Sequence, residues 1–383
     1  MGAHLDESGI DADGNRLDRK LHGLDLSHYR VQVGGGRVWH APWPVPATFR
    51  CGAWDTLGDE TVNICHYMRR EKSGLAFTTL ELVQAEEKLG QGVCLREPTD
   101  AEGRAGAILY GAARPPFDVE CIHSQMPLDS YFNRTPKFMW MHGEPLSSVG
   151  NGASMKAIVD LAPKVDAFIA MRAEEMVVWQ TIKKTYLVSK GIDLERFHPV
   201  EPPAHDQKNP LSKLSGEPAI LYCEHWRGSR NPLYWCVAME QVHKVLPKAR
   251  LHLVNCTDKK MNDTFRALIQ YNKWWAFVRT LSGAVPDADV NALYNRVDIV
   301  VSGLYPLYAR SIEAFGAGKA FIGPGYEDPE YPWHCTLHPD SMAKALIDCW
   351  ADYGKVDYRK WAEAKHDVNE TVKQSLAIYQ RYL

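Results

Sequence analysis

Glu313 lies in the run Ser311-Ile312-Glu313-Ala314-Phe315-Gly316-Ala317-Gly318-Lys319-Ala320, which has helical spacing and ends on glycines. A carboxylate at the rim of such a helix can accept hydrogen bonds from two adjacent hydroxyls at once. The helix should begin near Ala309, so backbone N–H groups of Ala309, Arg310 and Ser311 would face an anion. An amphipathic helix with one solvated Glu is the plainer alternative. Upstream, Cys223-Glu224-His225-Trp226-Arg227-Gly228-Ser229-Arg230 carries two guanidinium groups, Arg227 and Arg230, beside His225. Arginine can hold a phosphate through paired bonds, although an ordinary solvated loop explains the same residues. In the first half, Lys137-Phe138-Met139-Trp140-Met141-His142-Gly143-Glu144 reads as a strand that ends on His142. An imidazole at a strand's carboxyl end is placed to contact a ligand or shuttle a proton, with Glu144 as a second candidate; a core or capping histidine is the dull reading. The loop Arg69-Arg70-Glu71-Lys72-Ser73-Gly74 offers Arg69, Arg70 and Lys72 to an anion, or merely to solvent.

Positioning these groups needs strands that alternate with helices, and the chain supplies them. Apolar runs predict strands at 62–68, 93–96, 107–110, 119–123, 138–141, 167–171 and 185–188, with helices over 75–89, 155–162 and 173–181. Ser73 is placed to cap the first helix and Gly90 to end it. After a polar, proline-rich linker at 200–217 come strands at 219–223, 250–255, 276–280, 298–301 and 320–323. Helices are expected at 233–245, 261–270, 287–295, 309–317, 341–353 and 358–379. Such alternation argues for α/β architecture with parallel sheets covered on both faces. Between the halves, 188–199 reads Val-Ser-Lys-Gly-Ile-Asp-Leu-Glu-Arg-Phe-His-Pro. Gly191 suits a tight turn through a backbone conformation closed to other residues, Asp193 can cap or close it, Phe197 can anchor it in a core, and Pro199 stops it.

A length of 383 residues fits two domains of ordinary size. Hydrophobic content of 45% and charged content of 24% describe a soluble globular chain, and a net charge of -3 gives no large field for nucleic acid or anionic membrane. The nine cysteines are scattered singly, which reads as reduced thiols in a cytoplasmic protein and as neither a disulfide nor a zinc framework. The first twenty residues are polar and acidic, so a signal peptide is not expected, and no apolar run approaches a membrane span. Residues 1–48 read as an irregular extension with room for a short hairpin at 29–40. Asp11, Asp13 and Asn15 lack the distal Glu of a calcium loop, and no Gly-Lys-Ser/Thr follows Gly34-Gly35-Gly36, so neither a metal nor a phosphate loop is expected there. Asp287-Ala288-Asp289 reads as a helix cap, and Tyr271, Trp274 and Trp275 as core or domain-edge packing.

The order of these stretches resembles the family 4 nucleotide-sugar glycosyltransferases. Residues 188–199 are similar to the family's segment joining two halves, and 298–323 to its donor signature. The resemblance implies a GT-B fold: two Rossmann-like α/β domains facing across a cleft, 49–203 for the acceptor and 204–360 for the donor, with 361–383 able to cross back to the first. It implies transfer of a sugar from a nucleotide-diphosphate donor to an acceptor hydroxyl, with retention, needing no metal or cofactor. Glu313 would accept from the ribose hydroxyls, Arg227 and Arg230 with His225 would neutralise the departing diphosphate, and His142 would hold the reacting sugar. Gly74 would let backbone approach the donor phosphate, and Arg69, Arg70, Lys72 and Glu144 would meet the acceptor. His123-Ser124 is similar to a strand end that reads His-x-His in the family. The family's other Glu, eight positions before Glu313, is replaced here by Tyr305. That departure leaves the sugar open and admits an alternative, a catalytically silent sugar-nucleotide-binding scaffold. Hydroxymethylated bases of phage DNA are another alternative acceptor, against which the net charge argues.

Overall fold

The computed structural model describes residues 61–68, 74–97, 108–114, 116–123, 135–142, 152–201, 214–224, 232–256, 259–282, 285, 289–303, 308–324 and 331–383. The expected extension at 1–48 and most of the linker at 200–217 lie outside these residues. Among them no helix is long and apolar enough to cross a membrane.

The first sheet holds β1 (Asn63–Met68), β2 (Gly92–Arg96), β3 (Ile108–Gly111), β4 (Val119–His123), β5 (Lys137–Met141), β6 (Ala167–Ala170) and β7 (Thr185–Leu187). Their order in space is β3-β2-β1-β4-β5-β6-β7. Every residue of β4, β5 and β6 is buried, as a parallel sheet covered on both faces requires, and the charged pair Glu120 and Lys137 is joined at 2.8 Å. Strand β3 departs from the expected parallel sheet and pairs antiparallel with β2; as an edge strand it leaves Ile108 exposed. Helices α1 (Gly74–Lys88), α2 (Gly152–Leu161) and α3 (Ala173–Trp179) serve this sheet. Successive strand residues point to opposite faces. Ile64, Cys121, Phe138, Trp140 and Ile169 therefore pack with Leu82 and Ala85 of α1, while Cys65, Ile122, Met139 and Phe168 pack on the other side with Ile158 and Trp179.

The second sheet is wholly parallel: β8 (Ala219–Cys223), β9 (Arg250–Cys256), β10 (Val278–Ser282), β11 (Ile299–Val301) and β12 (Ala320–Ile322), ordered β10-β9-β8-β11-β12. Around it lie α4 (Leu233–Val245), α5 (Lys259–Tyr271), α6 (Val290–Asn295), α7 (Tyr308–Gly316), α8 (Pro339–Ala351) and α9 (Tyr358–Lys365), and the chain closes with α10 (Val368–Tyr379). Of Tyr271, Trp274 and Trp275, Trp274 packs into the core, while Tyr271 and Trp275 are 85% and 61% exposed.

The helix expected over 358–379 is two helices. Tyr358 and Ala362 of α9 join the second sheet's core, whereas Val368, Val372, Leu376 and Tyr379 of α10 join the first sheet's. One straight helix could not cover both. The chain turns at His366-Asp367, where Asp367 caps α10 by accepting from Asn369 N at 2.9 Å. The crossing therefore falls after His366, later than the expected start at 361.

The joining turn meets the same corner. Ile192 N donates to His366 O at 2.9 Å and Val368 N to Ile192 O at 3.1 Å. Asp193 closes the turn as expected, its Oδ1 accepting from Glu195 N at 2.9 Å, and Phe197 is buried. Gly191 is needed for a different reason from the one expected. Its backbone is not left-handed; a Cβ there would lie 2.5 Å from Val368 N and 2.6 Å from Thr371 Oγ1. The requirement is close approach to α10. Gly316 plays the matching part in the second half, since a Cβ would meet Phe197 Cβ at 2.9 Å. Arg359 then ties the corner together by donating to Leu194 O, Phe197 O and Gly316 O at 3.1, 2.5 and 2.9 Å.

Replacing Gly191 by Ala forces backbone apart at this corner, and overpacking of this kind costs about 2 kcal/mol. Thermal unfolding should show a lowered melting temperature for Gly191→Ala; an unchanged one would mean that the corner yields freely.

Candidate active site

In open α/β sheets, ligands bind at the carboxyl ends of strands where the strand order reverses. The first sheet reverses between β1 and β4, and the second between β8 and β11. Three histidines stand at the first of these places. His66 is on β1, His123 ends β4 and His142 follows β5, and the period-two alternation puts all three on the face covered by α1. Because β4 lies between β1 and β5, the rings meet in a line. His66 Nδ1 is 2.8 Å from His123 Nε2, and His123 Nδ1 is 2.7 Å from His142 Nε2. The ring centroids are 5.1 and 5.0 Å apart, and Trp140 stacks on His123 at 5.6 Å. At the inner end His66 Nε2 lies 2.7 Å from Glu86 Oε2.

Glu86 reaches His66 because Thr79, Leu82, Val83 and Glu86 form the buried stripe of α1, at i, i+3, i+4 and i+7. Both Glu86 and His66 are fully buried. The outer ring, His142, is half-buried, and its Nδ1 has no partner among the described residues. Burial, then the Lys190 cation and His66, push His142 down to about 3, so it rests neutral. Burial and the two neighbouring rings also hold His123 well below its ordinary value. The facing nitrogens are spent on one another. Among the described residues no group of three His, Cys, Asp or Glu side chains could hold a metal ion.

The second sheet brings Glu313 to the same neighbourhood. Its carboxylate, half-buried on α7, accepts from the Tyr294 hydroxyl of α6 at 2.6 Å. Across from it Glu81 of α1 pairs with Arg196 of the joining turn at 2.7 Å. Burial first, and then the charge of Glu313, raise Glu81 from 4.5 to about 7 against the pull of Arg196 and Lys190. Lys190 thus acts on both Glu81 and His142, and Glu81 also feels Glu313. Lys190 further lines a cavity of about 420 Å³ at the carboxyl ends of β6 and β7, with Arg172, Lys365, His366 and Glu370.

No family model matches the chain, and no curated protein matches it. Solved structures do match. The chain is similar to sucrose-phosphate synthase from Thermosynechococcus elongatus, at 15% identity over 84% of this chain and 98% of that one, with a TM-score of 0.66. It is similar to HepE of Anabaena in complex with UDP-glucose, at 14% identity over 84% and 100%, with a TM-score of 0.63. A glycosyltransferase from Rickettsia africae matches at 16% identity over 84% and 99%, with a TM-score of 0.60. The chain has the GT-B fold.

Within this GT-B frame the expected site residues fall into distinct groups. His142 feels Lys190, and Glu313 feels its neighbour Glu81, on which Lys190 also acts. Gly74 is the first residue of α1, and Ala309, Arg310 and Ser311 lie in the first turn of α7, with Ser311 buried. Arg69, Arg70, Lys72, Glu144, His225, Arg227, Arg230 and Tyr305 lie outside the described residues. In sequence, Arg227 and Arg230 follow β8 and Tyr305 follows β11, two strands that pair with each other. The sequence reading missed Glu86, His66, Glu81 and Lys190. Two signals were present: Glu86 interrupts the apolar stripe of a helix, and His66 interrupts an apolar strand.

The raised Glu81 carries a pH signature. Its folded value exceeds the unfolded one, so ionised Glu81 costs stability; the cost is absent below about 4.5 and complete above about 7. Melting temperatures of Glu81→Gln relative to the native chain should therefore rise as pH climbs through that window. A difference that stays flat with pH would contradict the assignment.

Proposed function

We propose that the chain is a glycosyltransferase that moves a sugar from a nucleotide-diphosphate donor to an acceptor hydroxyl. The observation that carries this reading is an electrostatic chain linking the two sheets, in which Lys190 acts on His142 and on Glu81 and Glu81 feels Glu313, with His142 at the end of β5 where such sheets take ligands. A neutral imidazole and a carboxylate are both suited to hydroxyl groups, the one as acceptor and the other as a bidentate acceptor. Lys190 brings positive charge to His142, as a diphosphate requires nearby, and with Arg172 it lines the cavity at the ends of β6 and β7. The fold neighbours agree in kind: one is named as a glycosyltransferase, and the HepE structure holds UDP-glucose.

The finer points belong to the same proposal. Glu313 grips the ribose, the guanidinium groups of Arg227 and Arg230 neutralise the leaving diphosphate, and transfer proceeds with retention and without a metal, as the resemblance of 298–323 implies. The acceptor is a hydroxyl-bearing molecule met by the first half, and the enzyme works in the cytoplasm, where its buried thiols stay reduced.

The test is nucleotide diphosphate release from a panel of uridine, guanosine and adenosine diphosphate sugars, with and without a chelator, and the anomeric configuration of the product by NMR. One donor should be turned over, with a retained anomer and no effect of chelation. Glu313→Ala, which removes hydrogen bonds to a charged group, should weaken donor binding about 10- to 100-fold. Failure to bind or turn over any donor would sink the proposal.

A further inference from the structure

In a line of hydrogen bonds each link needs one donor and one acceptor, so the group at one end fixes the tautomer of every ring. With Glu86 a carboxylate, His66 donates from Nε2 and keeps a bare Nδ1. That nitrogen accepts from His123 Nε2–H, and the bare Nδ1 of His123 accepts from His142 Nε2–H. His142 is left with a bare Nδ1, the atom that has no partner among the described residues. A carboxylate buried under α1 thereby makes the outermost ring an acceptor at the end of β5.

We propose that Glu86, His66, His123 and His142 form a one-proton relay, in which His142 takes the proton of a substrate hydroxyl and the charge comes to rest on His66 against Glu86. This rests on the reading above that a substrate hydroxyl reaches His142. The substrate O–H bond breaks and an N–H bond forms on His142 Nδ1. The Nε2–H proton of His142 passes to His123 Nδ1, and the Nε2–H proton of His123 passes to His66 Nδ1. His66 becomes an imidazolium whose Nε2–H still meets Glu86. The electron pair left on the oxygen forms the bond to the sugar carbon as the diphosphate departs with its own bonding pair.

Electrostatics along the line favour this direction. The Lys190 cation acts on the outer ring, and the Glu86 carboxylate lies against the inner one. His142 by itself is a poor base, since burial and Lys190 push it down to about 3, and burial holds His123 low as well. Of the three rings only His66 has a carboxylate partner. Of the other groups at the buried end, burial raises both Cys121 and Tyr379 and keeps them protonated, while Cys94, lowered to about 7 by its hydrogen bond with Cys65, also interacts with His66. The relay lets a ring that cannot hold a charge still remove a proton. His142 is then the catalytic residue, while Glu86, His66 and His123 act through it.

The full-length protein with 15N-labelled histidine reports the tautomers by NMR, with no substrate needed. At neutral pH the proton should sit on Nε2 of His123 and of His142. Glu86→Gln should keep those tautomers, because its amide oxygen still accepts from His66. It cannot stabilise an imidazolium, so kcat should fall about 100-fold while the donor KM stays unchanged. His123→Asn, which interrupts the line, should lower kcat alike. A resting proton on His142 Nδ1 overturns the relay. So does Glu86→Gln at native kcat, which would leave the proton to the departing diphosphate. If the native chain turns over no donor, the proposed function fails, and the tautomers alone decide the relay; they also decide it if Glu86→Gln does not fold.

Discussion

A carboxylate with no exposure must be compensated where it lies, and Glu86 has His66 for that purpose. Removing either member would leave a buried polar group without its hydrogen bond, which costs about 1–3 kcal/mol or more, so helix α1 and strand β1 are held in one register by it. The consequences run outward. Register on β1 fixes which residues of β4 face α1, because β1 and β4 pair with Met68 opposite His123. The pairing of β4 with β5 then fixes Trp140 opposite His123, leaving His142 one step beyond the strand. A slip of one residue in either pairing would send a ring to the opposite face and open the line.

The second constraint is the corner where the halves join. Ile192 exchanges backbone hydrogen bonds with both sides of Asp367, and Arg359 gathers three carbonyls from the turn and from α7. Glycines at 191 and 316 let these backbones touch. The corner passes the last helix from one core to the other, so each sheet is covered partly by chain that comes from beyond its own strands. Arg196, which pairs with Glu81, belongs to this same turn. The corner thus holds the cation that faces the α1 carboxylate.

Much of this was legible in the residues. Strand runs such as Val119–His123 and Lys137–Met141 declare themselves because both faces are buried and every position is apolar or paired. His142 stood out by its position at the end of a strand, and Glu313 by the resemblance of 298–323 to the donor signature. His66 and Glu86 did not, since a histidine in a strand and a glutamate in a helix have no meaning until the sheet order is known. Sequence places them 20 residues apart, and His123 57 residues from His66.

What the sequence by itself determined was the alternation of strand and helix, and hence two sheets that are parallel apart from the edge strand β3, because local periodicity and apolar runs are short-range properties of the chain. What only the tertiary structure decided was the lateral order of the strands. That order set β4 between β1 and β5, turned three separate imidazoles into one hydrogen-bonded line, and gave Gly191 its purpose, because contacts across a sheet or a corner depend on distances that no local pattern encodes.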